Sequence, residues 1–218
     1  MKKIALYVKE FKQKALKLVN PVSGFFVRQG LSPNWLTTVS FLVCIVSAYF
    51  FSIGKLRSGA ILFIFGGLFD MVDGQVARAS NRVTRFGALY DSTLDRYSEI
   101  LIFLGITHYY SVNINSDTYL AQLIPFVILL ALAGSLMVSY VRARAEAVGY
   151  ECKAGLMQRP ERIILIVLGA LINKYLLISA IFVIAIFANF TAMQRLYLVW
   201  STSDDRHKEP LTQHSDHE

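Results

Sequence analysis

Asp70-Met71-Val72-Asp73-Gly74-Gln75-Val76-Ala77-Arg78, then eight residues, then Gly87-Ala88-Leu89-Tyr90-Asp91-Ser92-Thr93-Leu94-Asp95: these two short runs set the problem that the rest of the chain must solve. Four carboxylates fall within 26 residues, and each run abuts a segment too apolar for a soluble surface. At about 100° per residue, Asp70, Asp73, Gly74 and Ala77 share one face of a helix. Gly87, Asp91 and Asp95 form a similar stripe on the next helix. A short loop joins the two, which predicts antiparallel neighbours with their acidic stripes turned toward each other. Placing one ionised carboxylate in a bilayer costs about 2–3 kcal/mol, and four together repel, so a positive partner is required between them. Hard oxygen donors suit Mg²⁺ or Mn²⁺, and two such ions about 4 Å apart make a clamp for phosphoryl chemistry. Gly74, Ala77 and Gly87 leave room for a flat base or a pyrophosphate to approach the backbone. Arg78, one step round the helix, can hold a phosphate oxygen.

Working outward, the chain has 218 residues, of which 55% are hydrophobic and 17% charged, with a mean hydropathy of +0.47. Such a composition points to a membrane protein divided into spans of about 20 residues. Six apolar segments cover residues 34–53, 56–79, 87–110, 118–144, 159–173 and 175–199, the fifth being the shortest. Gly54, Asn113, Asn115, Gly149, Gly155 and Pro160 punctuate the joints. The first strongly apolar run begins near Asn34 and is long enough to stay in the bilayer, so no cleaved leader is expected. Cys44 and Cys152 have neither CxxC nor CxxH spacing, which argues against a disulfide framework and a zinc site. No internal repeat of the kind carried by many secondary transporters is visible.

The expected architecture is therefore an all-α integral membrane protein, with six transmembrane helices preceded by an amphipathic N-terminal interfacial helix. Residues 1–30 form the juxtamembrane segment, 31–200 the catalytic membrane domain, and 201–218 a polar, disordered tail. In the N-terminal segment Lys2, Lys3, Lys9, Lys12, Lys14 and Lys17 alternate with Ile4, Leu6, Val8, Phe11 and Leu16, as on a helix lying against anionic lipid. The tail carries His207, His214 and His217, read as solvated rather than as metal ligands. A six-span chain with a cytoplasmic N-terminus puts all but Lys55, Arg57 and Lys174 of the 22 lysines and arginines on the cytoplasmic side. Both termini are then cytoplasmic, in a prokaryotic cell membrane. The net charge of +7 is spent at span ends rather than along one polar face, which excludes a nucleic-acid partner.

The pattern D-x2-D-G-x2-A-R-x8-G-x3-D-x3-D, matched here at every position from Asp70 to Asp95, resembles the signature of the CDP-alcohol phosphotransferases. The likeness extends from Pro33-Asn34-Trp35-Leu36-Thr37 to Thr191-Ala192-Met193-Gln194-Arg195. What the resemblance implies is a six-helix, dimeric membrane enzyme whose site opens to the cytoplasm and whose donor is CDP-diacylglycerol or a related CDP-linked lipid. It implies that Asp70, Asp73 and Asp91 ligate metal, and that Asp95 is the catalytic base and also approaches the second of two ions. It also implies that Thr37, Asp73, Gly74, Ala77, Arg78 and Gly87 contact the CDP-lipid. The acceptor hydroxyl would lose its proton to Asp95 and attack the lipid-side phosphorus, with CMP leaving.

The acceptor must be sought on other helices. Ser139, Arg142, Arg159 and Arg195 lie at three span ends on the cytoplasmic side, where guanidinium forks can cradle a phosphomonoester. Taken alone, the arginines also read as orientation anchors. The segments Ser139–Glu146 and Gly155–Arg162 resemble those of phosphatidylinositol phosphate synthases, which implies a phosphorylated polyol acceptor, inositol phosphate first. One position departs: those enzymes usually have Lys where this chain has Arg142. Glycerol 3-phosphate, giving a phosphatidylglycerophosphate synthase, is the near alternative. From other classes, a divalent-cation transporter has no use for Arg78 beside the acids, and a silent scaffold has no need of all four.

Overall fold

The computed structural model describes residues 24, 26–113, 119–152 and 155–204, and among them there are six long helices and no strand. They are α1 Pro33–Ser52, α2 Leu56–Ala79, α3 Arg85–Asn113, α4 Tyr119–Ala147, α5 Arg159–Ile172 and α6 Lys174–Asp204. The order matches the six apolar segments, with shifted ends. Helix α3 starts at Arg85 and runs to Asn113, and α6 runs on to Asp204. The expected N-terminal amphipathic helix, apart from Gly24 and residues 26–30, and the tail beyond Asp204 lie outside the described residues.

Local chemistry fixes the starts. Ser32 caps α1, its Oγ accepting from the Trp35 N–H at 3.3 Å, and Pro33 stands in the first turn, where its missing N–H costs nothing. Pro160 occupies the same place in α5. Asn173 is the hinge between α5 and α6: its N–H bonds Gly169 O, and its Oδ1 accepts from Leu176 N at 2.8 Å. Four of the helices, at 33–52, 56–79, 122–147 and 174–202, are long and apolar enough to cross a bilayer. Helix α3 misses that measure because Asp91, Asp95, Arg96 and Glu99 interrupt it. Helix α5 has only 14 residues. Outward-facing Phe126, Phe190, Met193 and Trp200 are exposed, as a lipid-facing surface requires.

Helix α1 packs against both α2 and α3, α6 packs against α4 and α5, and the α2–α5 and α3–α4 contacts join the two groups. Two serine hydroxyls bind α1 to α2, Ser40 Oγ to Gly66 O and Ser47 Oγ to Gly59 O, each at 2.7 Å. Gly105 lets α3 approach α1 so closely that any Cβ there would run into the Ala48 carbonyl. One apolar core runs through the bundle, from Phe51 and Phe103 to Ile166 and Ile184. The sequence expectation of close α2–α3 neighbours needs adjustment. Both helices pack on α1 but make few close backbone approaches to each other, so their carboxylates meet across a gap.

Candidate active site

Helix α2 delivers Asp70 and Asp73 from its C-terminal half, and α3 delivers Asp91 and Asp95 from its N-terminal half. One ligand atom each from Asp70, Asp91 and Asp95 can be chosen so that all lie within 4.8 Å of one another. Asp73 is placed differently. It is 4% exposed and turned toward α1, where the Thr37 hydroxyl donates to its Oδ2 at 2.6 Å, though it still feels the charges of Asp70 and Asp91. Arg159, opening α5, reaches across with Nη1 at 3.0 Å from Asp70 Oδ2 and 2.5 Å from Asp95 Oδ2. Asp91 Oδ1 is buried without a hydrogen-bond partner. An all-oxygen acidic donor set with one buried oxygen still unsatisfied fits a hard divalent cation.

Two cavities flank the acids. The first, about 410 Å³, is lined by Asp95 together with Ser139, Arg142, Arg159 and Arg195. The second, about 280 Å³, is lined by Thr37, Asp73, Gly74, Ala77, Arg78 and Gly87, with Asp91 at its edge. The residues expected from the sequence to meet a CDP-lipid thus share one cavity, and those expected to meet a phosphorylated acceptor share the other. A Cβ at Gly74 would meet only the Arg78 guanidinium within 4 Å, so that surface is open to the cavity. At Gly87 a Cβ would come within 2.9 Å of Thr84 Oγ1 and 3.2 Å of Asn34 Oδ1, leaving no slack at the cavity wall.

The wall of the first cavity is built for rigidity. Arg195 is 2% exposed, and its Nη1 donates to Val138 O at 2.6 Å, tying α6 to α4. Gly155, at φ +135°, adopts a backbone that L side chains rarely take, and a Cβ there would run into the Thr191 methyl; Thr191 Oγ1 accepts from Met157 N at 3.2 Å. Arg142, by contrast, is exposed and pairs with Glu146 at 2.8 Å. Glu99 and Arg162 are among the lining residues that the sequence reading did not assign. Arg162 is 1% exposed and donates Nε and Nη2 to the two Glu99 oxygens at 2.7 and 3.0 Å, and Nη1 to Met157 O at 3.2 Å. The signal was present, since Glu99 continues the i, i+4 stripe of Asp91 and Asp95, and Arg162 lies one turn beyond Arg159.

The archaetidylinositol phosphate synthase of Methanothermobacter thermautotrophicus is 37% identical over 195 residues, covering 88% of this chain and 93% of that protein. The phosphatidylinositol phosphate synthase of Mycobacterium marinum is 33% identical over 194 residues, covering 85% and 81%. Among solved structures, the Mycobacterium tuberculosis phosphatidylinositol phosphate synthase with CDP-DAG bound superposes with a TM-score of 0.77 at 32% identity, covering 85% of this chain and 94% of that one. The same enzyme in complex with manganese and citrate gives 0.77 over 84% and 89%. The family model for CDP-alcohol phosphatidyltransferase matches residues 31–200, the stretch that builds both cavities and the acid cluster between them, and the protein belongs to that family.

Proposed function

We propose that the protein transfers a phosphatidyl-type group from a CDP-linked lipid, CDP-diacylglycerol or its ether counterpart, to a hydroxyl of inositol phosphate, releasing CMP. The observation that carries this reading is that Asp95 lines a cavity with Ser139, Arg142, Arg159 and Arg195, while Asp73 and Asp91 line its neighbour with Thr37, Gly74, Ala77, Arg78 and Gly87. A donor in the second cavity and an acceptor in the first would meet at the acids. The names of the M. thermautotrophicus and M. marinum relatives favour inositol phosphate over glycerol 3-phosphate.

In this reading, Gly74, Ala77 and Gly87 admit the CDP group against the backbone of α2 and α3, and Arg78 holds a phosphate oxygen. Thr37 fixes the Asp73 carboxylate through its short hydrogen bond. Arg142, Arg159 and Arg195, with Ser139, cradle the acceptor phosphate and so aim one acceptor hydroxyl at Asp95. Asp95 takes that hydroxyl's proton as the new oxygen–phosphorus bond forms on the lipid-side phosphorus and the bond to the CMP oxygen breaks. Two divalent cations, Mg²⁺ or Mn²⁺, held by Asp70, Asp73, Asp91 and Asp95, would supply charge neutralisation for the pyrophosphate.

Several finer features belong to the same proposal. All six helices cross the membrane, residues 1–30 lie on its surface, and residues 31–200 form the catalytic domain ahead of a polar tail. Both termini face the cytoplasm of a prokaryotic cell, and the working form is a homodimer. The deciding experiment is CMP release by the purified protein with CDP-diacylglycerol and Mg²⁺, offering inositol phosphate, glycerol 3-phosphate, free inositol and serine in parallel. CMP released with inositol phosphate alone supports the assignment. Release with glycerol 3-phosphate alone replaces the acceptor, and no CMP from any arm overturns the inositol phosphate assignment.

A further inference from the structure

The three basic residues that the orientation pattern leaves on the opposite side, Lys55, Arg57 and Lys174, line one cavity of about 460 Å³, with Ser58 and Tyr109 beside them. This cavity lies at the other end of the bundle from the acids. Lys55 precedes α2, and the fifteen residues from there to Asp70 rise about 22 Å along the helix. The three cations come from two separate hairpins, Lys55 and Arg57 from the α1–α2 joint and Lys174 from the α5–α6 joint.

Their surroundings are those of an anion site. No carboxylate lines the cavity, and no ion pair is formed by any of the three among the described residues. Arg57 is held in place by its own Nε, which donates to Leu171 O at 3.1 Å and so turns the guanidinium from one hairpin toward the other. Lys55 and Lys174 rest over the Phe50 and Tyr175 rings, at 5.8 and 5.1 Å, which steadies the stems without neutralising the ammonium groups. The cavity also takes in the first turn of α2, whose cap residue makes no side-chain hydrogen bond and which carries no acid. That adds backbone N–H donors to the same concavity. Three uncompensated cations gathered at headgroup depth would repel one another unless an anion sat among them.

We propose that this cavity is a second anion site, separate from the reaction, that takes a phosphate group and thereby clasps the α1–α2 and α5–α6 joints together. The phosphate can be the phosphodiester of an anionic phospholipid or free inorganic phosphate, and both present the same oxygens to the guanidinium and ammonium groups.

The test uses the purified full-length protein in neutral detergent and two probes. Native mass spectrometry counts phosphatidylglycerol molecules retained, and thermal unfolding compares sodium phosphate with sodium chloride at matched ionic strength. The triple variant Lys55→Gln/Arg57→Gln/Lys174→Gln is compared with wild type and with Arg144→Gln, an exposed basic residue at the other end. The expected result is that wild type and Arg144→Gln retain phosphatidylglycerol at least tenfold more tightly than the triple variant, or are stabilised by phosphate where the triple variant is not. A difference with the lipid alone names a phospholipid as occupant, and one with phosphate alone names the free anion. Equal behaviour of the triple variant and wild type toward both probes overturns the proposal. All three side chains are exposed, and Lys55→Gln/Lys174→Gln, which spares the Arg57 hydrogen bond, serves as a second variant expected to lose most of the same difference. CMP release by the triple variant is expected to match wild type, so this outcome is independent of the proposed activity.

Discussion

Asp95 is the residue on which the proposed chemistry turns, and its surroundings give it two partners to satisfy: the Arg159 guanidinium at 2.5 Å and the open cavity it lines. Asp95→Asn keeps the shape and removes the proton acceptor. Turnover is expected to fall roughly 10²–10⁴-fold, the range for a lost general base, while CDP-lipid affinity changes less than about threefold. Steady-state CMP release set beside equilibrium binding of the lipid checks this, and wild-type turnover would remove Asp95 from its role. The arginines divide in a way that only the structure shows. Arg195 lines the first cavity and is held by its hydrogen bond to Val138 O, so Arg195→Gln should raise the acceptor KM about tenfold or more and leave the CDP-lipid KM near wild type. Arg159 also compensates Asp70 and Asp95, so Arg159→Gln should damage both KM values and kcat together. Kinetics in which the two variants behave alike would count against the two-cavity division. That the acids and glycines share helix faces was legible in the sequence from their one-turn spacing, with Arg78 one step round. The double duty of Arg159 was not, because a contact between Arg159 and Asp70 spans 89 positions and nothing local encodes it.

Between elements, a two-pronged polar link of Glu99 with Arg162 joins α3 to α5 under the first cavity. The Arg162 guanidinium is nearly sealed from solvent, and its third contact, to Met157 O, fixes the segment that leads into α5 and so the position of Arg159. Removing one partner of such a pair leaves a buried charge uncompensated, at a cost of about 3–5 kcal/mol. Glu99→Gln should therefore lower the unfolding midpoint in detergent markedly, and Glu99→Leu/Arg162→Met should recover much of the loss. Recovery of stability without recovery of acceptor KM would separate the link's positioning role from its contribution to folding. A double variant no more stable than Glu99→Gln would argue against this account of the pair. At the α1–α3 crossing the same reasoning applies to packing. A methyl at Gly105 must displace the Ala48 backbone, so Gly105→Ala should cost about 1–3 kcal/mol, read as a lower midpoint, and an unchanged midpoint would mean that the crossing can relax. The helices themselves were readable from apolar runs and breakers. Their partners were less so: a short loop implied that α2 and α3 pack together, whereas small residues and serine hydroxyls bring α1 against both and leave the acids facing across a gap.

For the molecule as a whole, the open point is whether α5 crosses the membrane. Its 14 residues rise about 21 Å, short of a hydrocarbon core of about 30 Å, yet the charge pattern needs an odd number of crossings between Arg144 and Lys174. Two features favour a crossing. Cys152 and Met157, ahead of α5, are both buried, so contact with the bundle begins before the helix does. The bilayer can also thin around a short span at modest cost. Composition reveals none of this, because a span shielded by neighbouring helices need not be as long or as apolar as one that faces lipid. Single cysteines can decide it. The native thiols Cys44 and Cys152 are 3% and 0% exposed and should stay silent toward a membrane-impermeant maleimide. Lys174→Cys and Arg144→Cys both place an exposed thiol at a helix end. In intact cells Lys174→Cys is expected to label, and Arg144→Cys only after the membrane is opened. Labelling of both under the same condition would put the two ends of α5 on one face. The six-crossing topology would then fail, and so would the placement of Lys55, Arg57 and Lys174 together on the far side.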